Sequence, residues 1–289
     1  MSTGRAGRFD RRRCSERLRD APHSCARRRH LLQKERDSVT FHDHFSDASA
    51  SYARHRPTYP RSVVDFLADL APERERAWDV GCGSGQLSTL LASRFSHVLA
   101  TDASQAQLDA AECHPAVEYR LAREAPDWIE EASLDLVVAA QAAHWFDLEL
   151  LYREVRRVAK PGAAVVLLCY ERPRVHDATA SANLVEWLHR SRLATHWPPE
   201  RQHVEAGYRT LAFPFAEVEP PPLAIERRWN VADMLGYIDT WSAVRAARRT
   251  EGADALATFE ADLRTAWGDG EHRVTWPIRM RAGILDRGR

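Results

Sequence analysis

The stretch DVGCGSG at 79–85 constrains this chain more than any other. Residues 77–80 before it read as a short strand, and residues 86–95 after it repeat apolar side chains at helical spacing. Three glycines between a strand and a helix let the backbone turn sharply and let a ligand approach the helix N-terminus. Their spacing is G-x-G-x-G, which differs from the G-x-G-x-x-G of a dinucleotide loop, and the Gly-Lys-Ser/Thr of a phosphate loop is absent. Asp79 before the first glycine would repel a pyrophosphate but suits an ammonium group. Asp102 ends the next strand, 17 residues after Gly85, where a carboxylate can accept both hydroxyls of a ribose.

These features describe a ligand with a cationic end, a ribose and no pyrophosphate. S-adenosyl-L-methionine meets all three requirements, and a bare β–α turn explains only one of them. The surrounding pattern agrees. Helices are expected at 61–70, 86–95, 104–112 (with Ser104 as its N-cap) and 148–160, and strands at 77–80, 97–102, 116–121, 134–140 and 163–170. Pro161-Gly162 is read as the stop of the last helix. This alternation predicts an α/β fold with a parallel sheet covered on both faces, and ligand-binding loops at the carboxyl ends of the strands. After Tyr170 the rhythm breaks. Residues 178–210, 231–246 and 253–267 read as helical, PPP at 220–222 as a linker or edge, and 273–280 as a last strand. The expected organisation is an Arg-rich tail at 1–38 and one domain at 39–289. Within the domain, 39–170 form the cofactor-binding core and 171–289 form cap helices and the end of the sheet.

DVGCGSG, Asp102, ARE at 122–124, DLVVAAQAAHWFD at 135–147 and KPG at 160–162 resemble the class I, Rossmann-like methyltransferases with a type-11 methyltransferase domain. FSDASASYARHRPTYP at 45–60 and TWSAV at 240–244 are similar to the trans-aconitate methyltransferase-like group within it. The resemblance covers roughly residues 41–289. It implies that Asp79, Gly81, Cys82, Gly83 and Gly85 border the methionine end of the cofactor. Asp102 and Ala103 would line the ribose, Arg123 and Glu124 the adenine, and Gln141 the methionine portion. Arg123 stands where the family often has Ala.

Several residues are candidates to face an acceptor. Tyr52 and Arg56 are spaced i, i+4, so they share one face of any helix ahead of the first strand. Tyr52 would border the sulfonium as a catalytic residue, and Arg56 would bind a carboxylate. Tyr59 would join them, unless the RPTYP segment is a structural anchor. His144 is the candidate general base and Trp145 a wall of the acceptor site, while Phe146 packs and Asp147 caps the next helix. His189, His196 and His203 are seven residues apart, too far for a helical ligand set, and no metal is expected.

Bulk properties narrow the rest. Lys+Arg 41 balance Asp+Glu 41, and no RNA-binding module is recognisable, so nucleic acid is not an expected partner. The five cysteines are scattered, without a CxxC pair, and a reducing, cytoplasmic setting is expected. No apolar run approaches the roughly 18–20 residues of a membrane helix. The tail is expected to be dispensable. The expected activity is methyl transfer to a small molecule, with a carboxylate oxygen as first candidate. A quinone, polyketide, xenobiotic or amine acceptor is the alternative, and a non-catalytic cofactor-binding protein is a third class.

Overall fold

The computed structural model describes residues 55–286; the expectations for residues 1–38 and for Tyr52 fall outside the described residues. α1 (Arg61–Leu70) leads into β1 (Arg76–Val80), α2 (Gln86–Leu91), β2 (His97–Asp102), α3 (Gln105–Asp109), β3 (Val117–Leu121) and β4 (Leu134–Ala140). A 3-10 turn at Ala143–Trp145 precedes α4 (Leu148–Val158), β5 (Ala159–Tyr170) and β6 (Arg174–Val175). α5 (Thr179–Trp187) runs on into a π-turn, Leu188–Arg192, followed by α6 (Arg201–Glu205), β7 (Ala216–Val218) and β8 (Ala224–Trp229). The described chain ends with α7 (Val231–Asp239), α8 (Ser242–Glu251), α9 (Ala257–Trp267) and β9 (His272–Ile284).

Among the described residues the sheet has the order β3-β2-β1-β4-β5-β9-β6, and β7 and β8 also pair with β9. The first five strands of that order are parallel, while β9 runs antiparallel to β5. From β1 the chain moves outward through β2 to β3, then returns to the other side of β1 as β4. The loops after β1 and β4 therefore leave the sheet in opposite directions and open a crevice at their carboxyl ends.

At the centre of this sheet both faces are buried, and successive residues alternate between them. Along β5, Ala164, Val166, Leu168 and Tyr170 join the core beneath α1, α2 and the cap helices. Ala163, Val165, Leu167 and Cys169 join the core beneath α4. Period-two alternation with both faces buried is what a central strand demands. Each buried Leu or Val side chain contributes roughly 1.5–3 kcal/mol.

The structure adjusts several expected boundaries. α2 and α3 end earlier than their apolar periods suggested. Ser104 supplies no side-chain cap to α3; its backbone N–H instead donates to Asp102 Oδ1 at 2.8 Å. Asp147 does cap α4, accepting from Glu149 N at 3.0 Å and Leu150 N at 3.2 Å. β5 begins at Ala159, ahead of Pro161-Gly162, and a register shift against β4 absorbs that dipeptide. The region expected as one helix at 231–246 is two. Trp241 is extended (φ −72°, ψ 134°) and buried, so α7 stops at Asp239. β6, β7 and β8 were not expected; they are short and partly exposed, and gain their order by pairing with β9.

At the edge opposite the crevice, Asp135 is fully buried. Its Oδ2 accepts from Glu75 N at 3.0 Å and Arg76 N at 2.8 Å, and Lys160 Nζ lies 2.8 Å from Oδ1. One carboxylate thus ties together the starts of β1, β4 and β5. Asp135→Ala is expected to lower the unfolding free energy by about 3–5 kcal/mol, because it strands buried donors. Urea unfolding measures this; a loss below about 1 kcal/mol contradicts it.

Candidate active site

The loop after β1 is built to approach a ligand closely. Gly81, Gly83 and Gly85 have φ of +71°, +56° and +78°. At Gly85 a side chain would overlap the Tyr119 hydroxyl, and at Gly81 it would overlap Ala142 and Phe146, so both positions need glycine for space as well as conformation. The expected packing role of Phe146 is thereby given a partner. Gly81 N and Cys82 N both donate to Thr101 O, at 2.8 and 2.9 Å, which holds the loop against the end of β2.

Asp79 is fully buried in this loop. Ser88 Oγ donates to its Oδ2 at 2.6 Å, while Oδ1 is buried with no hydrogen-bond partner. Burial pushes the carboxyl up to about 7; the Ser88 bond opposes the shift and nearby Asp102 adds to it. An orphaned carboxylate oxygen at the mouth of a glycine loop fits an ammonium group, as the sequence anticipated. Asp102 is aimed by two backbone donors, Gly83 N on Oδ2 and Ser104 N on Oδ1, each at 2.8 Å. Ala103 follows it and is half-buried. The Cys82 thiol, pushed well up by burial and by Asp79 and Asp102, stays protonated and is no nucleophile.

Glu124 is buried and accepts from Asp147 N at 3.4 Å, while Arg123 is exposed with its Nε 3.4 Å from Glu124 Oε2. Gln141, just beyond β4, has φ +57°, an uncommon conformation for a residue with a side chain. Gln141 N donates to Leu168 O at 2.7 Å, and its side chain donates to Tyr170 O at 3.3 Å. Strain of this kind, over-determined by two hydrogen bonds, concentrates at binding sites.

Gln141 also lines a cleft of about 590 Å³, open solvent at its mouth included. His144 and Trp145 join it from the same loop; Tyr237 and Trp241 from α7 and the break that follows; His189, Trp197 and Arg201 from the rest of the cap. Arg56 completes the lining. Arg56 Nη1 donates to Tyr170 Oη at 2.8 Å, and Nη2 donates at 3.3 Å to Thr240 O, a carbonyl left over where α7 ends. Tyr59 lies elsewhere: it is 7% exposed, packs on Tyr170 with ring centroids 6.1 Å apart, and belongs to the core. The anchor reading of RPTYP therefore fits Tyr59, while Arg56, the candidate carboxylate binder, lines the cleft.

His144 Nδ1 lies 2.9 Å from Tyr208 Oη. Burial, followed by Arg201 and His203, lowers the imidazole to about 3. A group that weakly basic is a poor proton acceptor at neutral pH, so the site opposes the general-base role expected for His144. His196 and His203 are engaged separately, with Glu251 at 2.7 Å and Thr210 Oγ1 at 2.8 Å. Sequence reasoning did not single out Arg201, Tyr170 or Tyr208 for the site. Tyr170 ends β5, while Arg201 and Tyr208 lie in and just after α6, and no local motif marks them. Among the described residues no helix is long and apolar enough to cross a membrane.

A family model described as a methyltransferase domain matches residues 78–167. A solved structure from Anaeromyxobacter dehalogenans, assigned as a type II methyltransferase, is 49% identical with a TM-score of 0.74, covering 80% of this chain and 99% of that one. A Dictyostelium discoideum protein named as a methyltransferase is 29% identical over 247 residues, 83% of this chain and 94% of its own length. A Saccharomyces cerevisiae protein named as an S-adenosylmethionine-dependent methyltransferase is 30% identical over 146 residues, 47% of this chain and 50% of its own length.

Because the Asp79 carboxyl titrates near 7, cationic ligand and proton compete for it. The folded state favours the protonated carboxyl, so its stabilising effect is full below the ordinary value near 4 and is lost as pH rises through about 7. Ligand-free protein should lose thermal stability over that window, and Asp79→Asn should flatten the slope. S-adenosylmethionine affinity should rise severalfold from pH 5 to 7 with proton release, read by calorimetry in buffers of different ionisation enthalpy; flat affinity would refute the pairing. At constant pH, Asp102→Ala should weaken binding by about 1.5–3 kcal/mol.

Proposed function

The chain belongs to the class I S-adenosylmethionine-dependent methyltransferases, and within that family we propose that it methylates a small anionic acceptor at a carboxylate oxygen. The observation that carries this reading is the sign of the cleft wall. Arg56 and Arg201 line the cleft, and among the described residues no Asp or Glu lines it. A low-dielectric cleft of one sign concentrates ligands of the other.

The bound cofactor supplies a methyl group already activated on a sulfonium, open to in-line displacement by an oxygen lone pair. The chain's own part is placement and dryness. Asp79, Asp102 and the glycine loop hold the cofactor, with Ala103, Arg123, Glu124 and Gln141 beside them. Arg56 orients the acceptor: its guanidinium is fixed by Tyr170 Oη and Thr240 O, so its fork is pre-set for a carboxylate. Trp145, Trp197 and Trp241 narrow the route for water. No proton needs to move, since a carboxylate is ionised at neutral pH. That agrees with a His144 ring lowered to about 3, a weaker base than a hydroxyl acceptor calls for.

Arg56→Lys keeps the charge and removes the fork. It is expected to raise KM for carboxylate acceptors roughly 10–100-fold, the loss of one charge-assisted hydrogen bond, while S-adenosylmethionine affinity stays within about twofold. A panel of acids, phenols and amines, assayed by transfer of labelled methyl, identifies the acceptor. Loss of cofactor affinity in Arg56→Lys would reassign Arg56 to the cofactor. Unchanged kinetics with lower thermal stability would leave it only an anchor.

A further inference from the structure

Beside Arg56 the same cleft holds a second cluster whose polar atoms the fold leaves unanswered. His189, in the π-turn after α5, is 3% exposed. Its ring lies against Trp197, centroids 4.7 Å apart, and edge-on to Trp241 at 5.4 Å. Neither ring nitrogen makes a hydrogen bond, and Nε2 lies 3.9 Å from Glu205 Oε1, outside bonding reach. Burial, then the charges of Arg201, Arg172 and Arg190, lower the imidazole to about 3, so the ring is neutral. Arg201 lies over Trp197 with its guanidinium carbon 4.9 Å from the ring centroid. Its Nε is buried without a partner, and among the described residues no carboxylate pairs with it.

A buried donor left unpaired is costly, and native structures retain few of them. Here there are two such donors, Arg201 Nε and the one N–H of the neutral His189 ring, beside an unpaired acceptor nitrogen of the same ring. They belong to two neighbouring side chains in the wall of one cleft, on aromatic faces that fix their positions. The remaining charge is positive, and the ring of His189 can add one neutral N–H. That set suits an anionic group with several acceptor oxygens.

We propose that Arg201 and His189 form a second acceptor subsite, which takes a carboxylate or phosphate at the end of the acceptor remote from the methylated oxygen. The acceptor class is then a small dianion, with one anionic end at Arg56 and the other at Arg201. The inference rests on the anionic-acceptor reading above, but its test does not depend on turnover.

The test titrates the protein–S-adenosylhomocysteine complex with the straight-chain diacids from succinate to suberate, with monoacids of equal length, and with 4-phosphonobutanoate. At the best length, a diacid or the phosphonate should bind at least tenfold more tightly than the matched monoacid. The better of the two names the group held at Arg201. In Arg201→Met the preference should fall below twofold, and Arg201→Lys should restore part of it. His189→Phe, which preserves the aromatic stack, should reduce it severalfold. For any diacid that is turned over, the change should fall on KM more than on kcat. Equal binding of diacids and monoacids by the unmodified protein overturns the subsite, as does a preference that survives Arg201→Met in folded protein. If no acid is methylated, the proposed reaction fails while the binding preference and its loss still decide the subsite.

Discussion

A carboxylate shut away from water at the centre of a parallel sheet is the constraint around which this structure is arranged. Asp79 sits on β1, between Ala100 of β2 and Val138 of β4, with neighbours on both sides and apolar layers above and below. Such a group is tolerated only if it is neutral or answered by a cation. Ser88 answers one oxygen and leaves the other open. The glycine loop follows from the same requirement. It must turn at once after Asp79, lie flat against Thr101, and leave room for Phe146 and Tyr119 to close over it. No side chain can occupy Gly81 or Gly85 without displacing that cover.

The acceptor side depends on the cofactor side through two residues. Gln141 is pinned in a left-handed conformation by the ends of β4 and β5, and it lines the cleft from the sheet. Arg56 reaches the same cleft from the segment before α1 and bridges Tyr170 of β5 to Thr240 of the cap. The break between α7 and α8 makes this bridge feasible, because a continuous helix would have used the Thr240 carbonyl internally. His55 packs so closely on Gly236 that a side chain there would overlap its ring, and Arg227 donates to Thr58 O at 2.9 Å. The entry segment is thus fastened on both sides of Arg56, to α7 by His55 and to β8 by Thr58.

The sheet and the loop chemistry were legible because their signals are local. Apolar runs at 134–140 and 163–170, the glycine spacing and the strand-end acid each lie within a few consecutive residues, and Asp147 announces the start of α4. The cap was legible only as helical. Trp241 packs against Tyr237 of α7 and against Trp197 and His189, and the last two are distant in sequence. β6 and β7 carry too few residues for a period to emerge, β8 (AIERRW) fully buries only Ile225, and all three pair with β9. Arg201 was invisible for a related reason. The sequence holds many arginines, and nothing local distinguishes one whose Nε is buried without a partner from one on the surface. The environment of His144 is likewise tertiary: its position after β4 suggested a base, but burial, followed by Arg201 and His203, lowers its basicity.

The two halves of the site differ in sign, and on the proposed reading that difference favours release as well as binding. Asp79, Asp102 and Glu124 stand on the cofactor side, Arg56 and Arg201 on the acceptor side. Before transfer each half holds a ligand of opposite charge. Transfer turns the acceptor carboxylate into a neutral ester and leaves a thioether where the sulfonium stood, so one charge is lost on each side. Arg56 then faces an ester that accepts weaker hydrogen bonds than an ionised carboxylate. Bonds to charged groups contribute about 1.5–3 kcal/mol against about 0.5–1.5 for neutral ones, so the ester is expected to bind more weakly than the acid it came from. An anionic group retained at Arg201 would keep the product oriented while its reacted end lets go. The order in which the two ends leave is then set by charge, with no lid motion required.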